Sequence, residues 1–461
     1  MTSRFDAIVI GAGQAGPPLA ARLSDAGMKV AVVERDRFGG TCVNTGCIPT
    51  KALIASAYVA HTARRAGEYG VGIAGEIAVD MKAVKARKDE ISGLSRQHVE
   101  RWLTGLKNTT VFRGAARFAD AKSVRVNADR LCADKIFINV GGRANIPPLP
   151  GIERTPVLTN SGMMEVDFVP RHLVVVGGSY VGLEFAQMYR RFGAEVTVVE
   201  RDGRLISRED EDVSTAVRTI LEAEGIHIRL DATCISTNRT PAGVSIGVDC
   251  REGEPEVEGS HLLLAVGRRP NTDDLGLELA GVETDRRGYI VVDDQCRTNV
   301  PGIWAVGDCN GRGAFTHTSY NDFEIVAANL LDNDARKISD RLPCYALFTD
   351  PPLGRVGMTE AEVRKTGQRA LIGTLPMSGV KRAVERGESQ GFMKVLVAED
   401  SRAILGAAIL GLNGDEAIHT LLDVMYARAP YTVLQRAVHI HPTVSELIPT
   451  MLGKLRVLEP N

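Results

Sequence analysis

What this 461-residue sequence lacks narrows its class first. No apolar run approaches the roughly 20 residues needed to cross a bilayer, so no membrane partner is expected. The N-terminal stretch FDAIVIGAGQAGPPLAARL is interrupted by Asp6 and three glycines, and no basic segment of the usual length precedes it. It therefore does not read as an export signal, and a cytoplasmic location is expected. Charge of one sign is also missing: 55 Lys and Arg stand against 57 Asp and Glu, interleaved along the chain, for a net charge of -2. That leaves no basic face for nucleic acid. Eight cysteines scattered over this length make no disulfide framework, and a reducing compartment keeps most of them as thiols. No metal site is expected, because no second Cys/His pair accompanies Cys42 and Cys47 at a matching spacing.

What is present is enough apolar material, 44% of residues, to fill two or three cores. Two stretches also repeat. AIVIGAGQAGPPLAARLSDAGMKVAVVER (7–35) and LVVVGGSYVGLEFAQMYRRFGAEVTVVER (173–201) each run apolar strand, glycine-rich turn, helix, glycine, strand, acid. The spacing from Gly11 to Glu34 equals that from Gly177 to Glu200. These are the marks of two βαβ dinucleotide sites. In the first, Gly11 makes the tight turn, Gly13 admits the pyrophosphate and Gly16 lets helix pack on strand, while Glu34 is placed to accept ribose hydroxyls. In the second, Gly177 and Gly182 take the outer positions and Ser179 replaces the middle glycine, leaving Gly178 to supply the close approach. Tyr180 and Val181 complete that turn. A carboxylate at Glu200 repels a 2′-phosphate, which favours NADH, with NADPH possible because Arg201 and Arg204 lie nearby.

The stretch GGTCVNTGCIPTK (39–51) holds two cysteines in what reads as a cytosolic chain, which points to catalysis or metal. A helix beginning at its end would stabilise a thiolate at Cys47. Together with AVGRRPNT (265–272), GIWAVGDCN (302–310) and HIHPTVSE (439–446), it resembles the class I pyridine nucleotide-disulfide oxidoreductases over nearly the whole chain and in that family's order. The resemblance implies an α/β fold of two Rossmann-like dinucleotide-binding domains plus an α+β C-terminal dimerisation domain. It implies an FAD domain split into 1–148 and 271–341, an NAD(P) domain at 149–270, and an interface domain at 342–461.

The resemblance also implies roles. Cys42 and Cys47 would form the redox-active disulfide, with Cys47 facing the flavin as the charge-transfer thiolate and Cys42 meeting substrate through a mixed disulfide. His441, oriented by Glu446, would be the base, reaching the site of the other subunit of a homodimer. Lys51 would pair with Glu184 beside the flavin, and Asp308 would hold the ribityl chain. Tyr180 would sit where an aromatic gate covers the flavin, or else pack as an ordinary helix-start side chain. Thr41, Ala116, Thr316 and Gly267 would line the cofactors. Cys309 reads as a small buried residue, and Cys132, Cys234, Cys250, Cys296 and Cys344 receive no role.

Three functions stand open: an NAD(P)H-dependent disulfide reductase, a dihydrolipoamide dehydrogenase docked in a multienzyme complex, and a mercuric or other metal-ion reductase. The segment GDCNGRGAFTHTSYNDFEIVAANLL (307–331) leans toward the mercuric branch. The ending KLRVLEPN lacks the Cys-Cys that would deliver the soft ion, so poor mercuric activity is expected. Glu200 argues against glutathione reduction with NADPH.

Overall fold

A computed structural model describes residues 2–250 and 253–459. Strand Ala7–Ile10, buried throughout, is the centre of a five-stranded parallel sheet ordered Ile303–Ala305, Lys135–Ile138, Ala7–Ile10, Val30–Glu34, Thr109–Arg113. The continuous apolar runs of its inner strands follow from burial on both faces, as parallel sheets require. Because Ile303–Ala305 completes this sheet, the first unit is discontinuous in sequence.

A second parallel sheet is ordered Val157–Leu158, His261–Leu264, His172–Val176, Glu195–Val199, His227–Arg229. Each parallel sheet carries an antiparallel meander: Ala116–Asp120, Ser123–Val126 and Asp129–Cys132 in the first unit, Ala232–Thr240, Gly243–Cys250 and Glu256–Gly259 in the second. The sequence repeat is thus an architectural repeat. The outgoing and returning connections run side by side, since Gly142–Ala144 pairs antiparallel with Arg268–Pro270.

The C-terminal unit is an antiparallel six-stranded sheet with helices packed on it, including His419–Tyr426. Packing joins the units where the site forms. Leu53 and Ala57 of helix Cys47–Arg64, Leu183 and Phe185 of helix Tyr180–Phe192, and Leu347 and Leu353 of the C-terminal sheet all belong to one buried cluster. Among the described residues no helix is long and apolar enough to cross a membrane.

Candidate active site

The two thiols sit on a bend that only glycine permits. Gly39 and Gly40 have φ of +91° and +62°, and a Cβ on Gly40 would stand 2.8 Å from Cα of Gly13. The bend therefore lays the cysteine segment against the first glycine turn. Cys42 lies on the short helix Gly40–Asn44, and Cys47 is the first residue of helix Cys47–Arg64. Both cysteines are free thiols, Cys42 half-buried and Cys47 exposed. The Cys47 Sγ lies 3.1 Å from Thr316 Oγ1. A hydrogen bond from Cys42, with help from Thr316 and the charge of Lys51, brings the Cys47 thiol down to about 6 against the opposing effect of burial. The same bond, together with burial, pushes Cys42 well up. The pair thus divides into a thiolate and the thiol that donates to it.

One turn along the helix, Lys51 Nζ lies 2.8 Å from Glu184 Oε2, bridging the first and second units. The other oxygen of Glu184 accepts from the Phe348 N–H at 3.1 Å, and the Lys51 ammonium lies 4.2 Å from the centre of the Phe348 ring. All three units thereby meet at this ion pair.

The two glycine turns repeat each other in detail. A Cβ on Gly11 would meet the Asn139 carbonyl oxygen at 2.3 Å, and one on Gly177 the Ala265 carbonyl oxygen at 2.5 Å. A Cβ on Gly16 would meet the Gly11 oxygen at 2.2 Å, and one on Gly182 the Gly177 oxygen at 2.0 Å. Glu34 accepts from the N–H groups of Ala12 and Asp36, both at 2.8 Å. Glu200 accepts from those of Gly178 at 2.5 Å and Asp202 at 2.9 Å. Each acid is thus fixed to its own turn by two backbone donors. Gly13 differs: the nearest atom to a Cβ there would be Asn139 Nδ2 at 3.4 Å, an ordinary contact. Among the described residues nothing demands glycine at 13, which fits a cradle kept open for a cofactor. At Gly178 the missing Cβ makes room for the chain itself, with Leu205 Cδ2 at 2.6 Å and Glu200 Cβ at 3.0 Å from where it would be. Arg201 pairs with Asp202 at 3.5 Å, and Arg204 donates to the Ser207 carbonyl at 2.9 Å, so both arginines have partners in their own loop.

Asp308 opens the turn Asp308–Asn310; burial pushes its carboxyl up, opposed by Arg268 3.8 Å away and by a hydroxyl donated from Ser319 at 3.3 Å. Arg268 also donates to Thr41 Oγ1 at 3.4 Å. Gly267 has φ +98°, and no described atom beyond its chain neighbours lies within 4 Å of where a Cβ would be. Ala116 begins the first meander, paired with Val126 and packed in the core. Tyr180 starts helix Tyr180–Phe192 half-buried, edge-on to Tyr345 at 5.4 Å and to Phe315 at 6.3 Å between ring centres, while Val181 is exposed. His441 stands apart: its Nδ1 is 2.9 Å from Glu446 Oε2, its side chain is 71% exposed, and among the described residues no hydrogen bond links it to either thiol. Cys309 is fully buried, its thiol donating to the carbonyls of Ile138 and Val306. No group of three or more His, Cys, Asp or Glu suited to a metal occurs among the described residues.

Residues 5–322 match the pyridine nucleotide-disulphide oxidoreductase family, and residues 344–452 match its dimerisation domain. The chain belongs to the pyridine nucleotide-disulphide oxidoreductases. It is 35% identical to RclA of Escherichia coli K12, named a probable pyridine nucleotide-disulfide oxidoreductase, over 96% of this chain and 98% of that one. It is 34% identical to a dihydrolipoyl dehydrogenase of Haloferax volcanii and 32% identical to a mercuric reductase of Streptomyces lividans, in each case over 96% of this chain and 94% of the relative. Among solved structures it is similar to a Cu(II) complex of the HOCl-induced flavoprotein disulfide reductase RclA of E. coli, with TM-score 0.90, 34% identity, and 98% and 99% of the two chains covered.

Within this family plan, several residues at the site escape a reading of the sequence. Arg268 is visible in AVGRRPNT, but nothing there shows that it faces Asp308 and Thr41. Phe348 and Tyr345 lie more than 160 residues from Glu184 and Tyr180, and no local signal marks them. Only the sheet pairing of the C-terminal unit brings them in.

Proposed function

We propose that the protein is an FAD-dependent reductase that prefers NADH, works as a cytoplasmic homodimer, and passes electrons through Cys42 and Cys47 to a small disulfide. The observation that carries this is one juxtaposition. An acidified thiol at a helix start lies beside the Lys51–Glu184 pair, where units bearing two anchored dinucleotide turns meet. Bound FAD would supply the acceptance of hydride from NADH and the return of that electron pair to the Cys42–Cys47 disulfide. Gly11, Gly13, Gly16, Glu34, Thr41, Thr316 and Asp308 would hold it, with Lys51 and Glu184 at its reactive end.

The chain's own residues account for the rest. His441 of the partner subunit takes the Cys42 proton as the Cys42 sulfur attacks the acceptor disulfide, and returns it to the first thiolate that leaves. Cys47, already a thiolate near neutral pH, then attacks the mixed disulfide, closing Cys42–Cys47 and expelling the second product as a thiolate that takes its proton from water. The carboxylate of Glu446 holds Nδ1–H of the histidine, leaving Nε2 for proton transfer.

That RclA has been solved as a Cu(II) complex favours Cu(II) as a second candidate acceptor. The deciding experiment is a panel on the purified holoenzyme: oxidised lipoamide, glutathione disulfide, Cu(II) and Hg(II), each with NADH and NADPH. Disulfide turnover lost in Cys42→Ser, with NADH preferred and the preference narrowed in Glu200→Ala, is the expected result. Turnover of the metals alone would replace the disulfide reading. Preference for NADPH would overturn the role given to Glu200.

A further inference from the structure

The stack around Tyr180 leads away from the site into a buried charge cluster. Tyr345, from the first strand of the C-terminal sheet, meets Tyr180 edge-on at 82° and lies nearly parallel to Phe315, with 5.7 Å between centres and 12° between planes. Phe315 immediately precedes Thr316, the neighbour of Cys47. The Tyr345 hydroxyl donates to Glu209 Oε1 at 2.6 Å. The other oxygen of Glu209 accepts from Arg355 Nε at 3.0 Å. Arg355 also pairs with Asp210 at 3.2 Å, and Lys394 pairs with Asp210 at 3.0 Å and Asp212 at 2.7 Å. Arg355 and Lys394 are only 1% and 0% exposed, and Arg355 Nη1 has no partner among the described residues.

A buried ion cluster with an unsatisfied guanidinium nitrogen is poor value as stabilisation, since an apolar core of the same shape does as well or better. What it does provide is a fixed hydroxyl acceptor. Glu209 cannot swing away without taking from the buried Arg355 the carboxylate that both its Nε and Nη2 donate to, leaving only Asp210 at 3.2 Å, so Tyr345 is held at one angle, and with it the face against which Tyr180 rests.

We propose that Tyr345 is a positioning residue for Tyr180: the C-terminal unit, through Glu209 and Arg355, holds the ring of Tyr180 in the resting position that NADH must displace. The proposal rests on the first of the two readings of Tyr180, an aromatic gate over the flavin, which NADH would have to move aside to reach it. An edge-to-face contact of this kind is worth about two- to twelvefold in an equilibrium constant. Releasing it lowers the apparent Kd for NADH by that factor and leaves the limiting rate of reduction unaltered, because the reacting groups are untouched.

The test is anaerobic stopped-flow reduction of purified holoenzyme by NADH in Tyr180→Leu, Tyr345→Leu, Tyr345→Phe and the Tyr180→Leu/Tyr345→Leu pair. Expected is a tighter apparent Kd in Tyr345→Leu, a smaller effect in Tyr345→Phe, and no further change when Tyr345→Leu is added to Tyr180→Leu. An unchanged Kd in Tyr180→Leu removes the gate reading and the proposal with it. An effect of Tyr180→Leu with none from either Tyr345 variant, or an equal effect of Tyr345→Leu with and without Tyr180, overturns the proposal alone. Should Tyr345→Leu fail to fold, Tyr345→Phe and Phe315→Leu carry the same comparison.

Discussion

Cys47 shows how little is needed to acidify a thiol. Its thiol lies near 6 because one neighbour donates a hydrogen bond, a hydroxyl sits at 3.1 Å, and an ammonium stands one turn along the same helix. A group with that value is about nine-tenths ionised at pH 7. Prereduced protein stripped of its flavin and treated with iodoacetamide is therefore expected to alkylate first at Cys47, with a rate that rises with pH and reaches half its plateau near pH 6. Cys42→Ala removes the largest stabilising contact and Lys51→Met a lesser one, so both should move the half-point to higher pH, the first by more. Peptide mass spectrometry across a pH series measures this. A half-point at the ordinary thiol value would reject an acidified Cys47, and first labelling at Cys42 in the flavin-free protein would reverse the assignment of thiolate and thiol.

At the scale of elements, the glycine turns were legible because their chemistry is local. The spacing of Gly11, Gly16 and Glu34, repeated at Gly177, Gly182 and Glu200, is a property of one strand, one turn and one helix. Contacts assembled from distant segments were not legible. The aromatic stack takes residues 180, 315 and 345, and the Arg268–Asp308 approach depends on two connections crossing side by side. Gly178 lies between these cases: the sequence marks it for the close approach of a cofactor, whereas what excludes a Cβ there in the structure is the chain's own Leu205 and Glu200. The equivalence of the turns allows them to be broken separately. Gly16→Ala puts a methyl 2.2 Å from the Gly11 carbonyl and should yield protein depleted in flavin. Gly182→Ala, with the same clash at 2.0 Å from Gly177, should retain its flavin and its reduction by dithionite yet lose most reduction by NADH. Flavin content after denaturation and anaerobic titration with each reductant distinguish the two, and loss of flavin in both variants would contradict separate roles for the turns.

At the scale of the whole molecule, the position of His441 is the informative feature. The histidine is fixed by Glu446, yet it is 71% exposed and among the described residues makes no hydrogen bond to either thiol of its own chain, as the base proposed for the partner's site would. The neighbouring Val438 and Ile440 are 101% and 80% exposed, an apolar surface that the match to a dimerisation domain accounts for. If the histidine serves the partner's Cys42, then His441→Ala and Cys42→Ser homodimers should both be nearly inactive toward disulfides, since each lacks one component at both sites. Subunit exchange between them creates a heterodimer with one site that has neither component and one that has both. Activity should then recover to at most about half of wild type per heterodimer, as one intact site in a twofold pair requires. Native mass spectrometry establishes that exchange has occurred. Heterodimers present without recovery would reject the shared site, because a histidine acting within its own chain leaves each site of the mixed pair short of one residue.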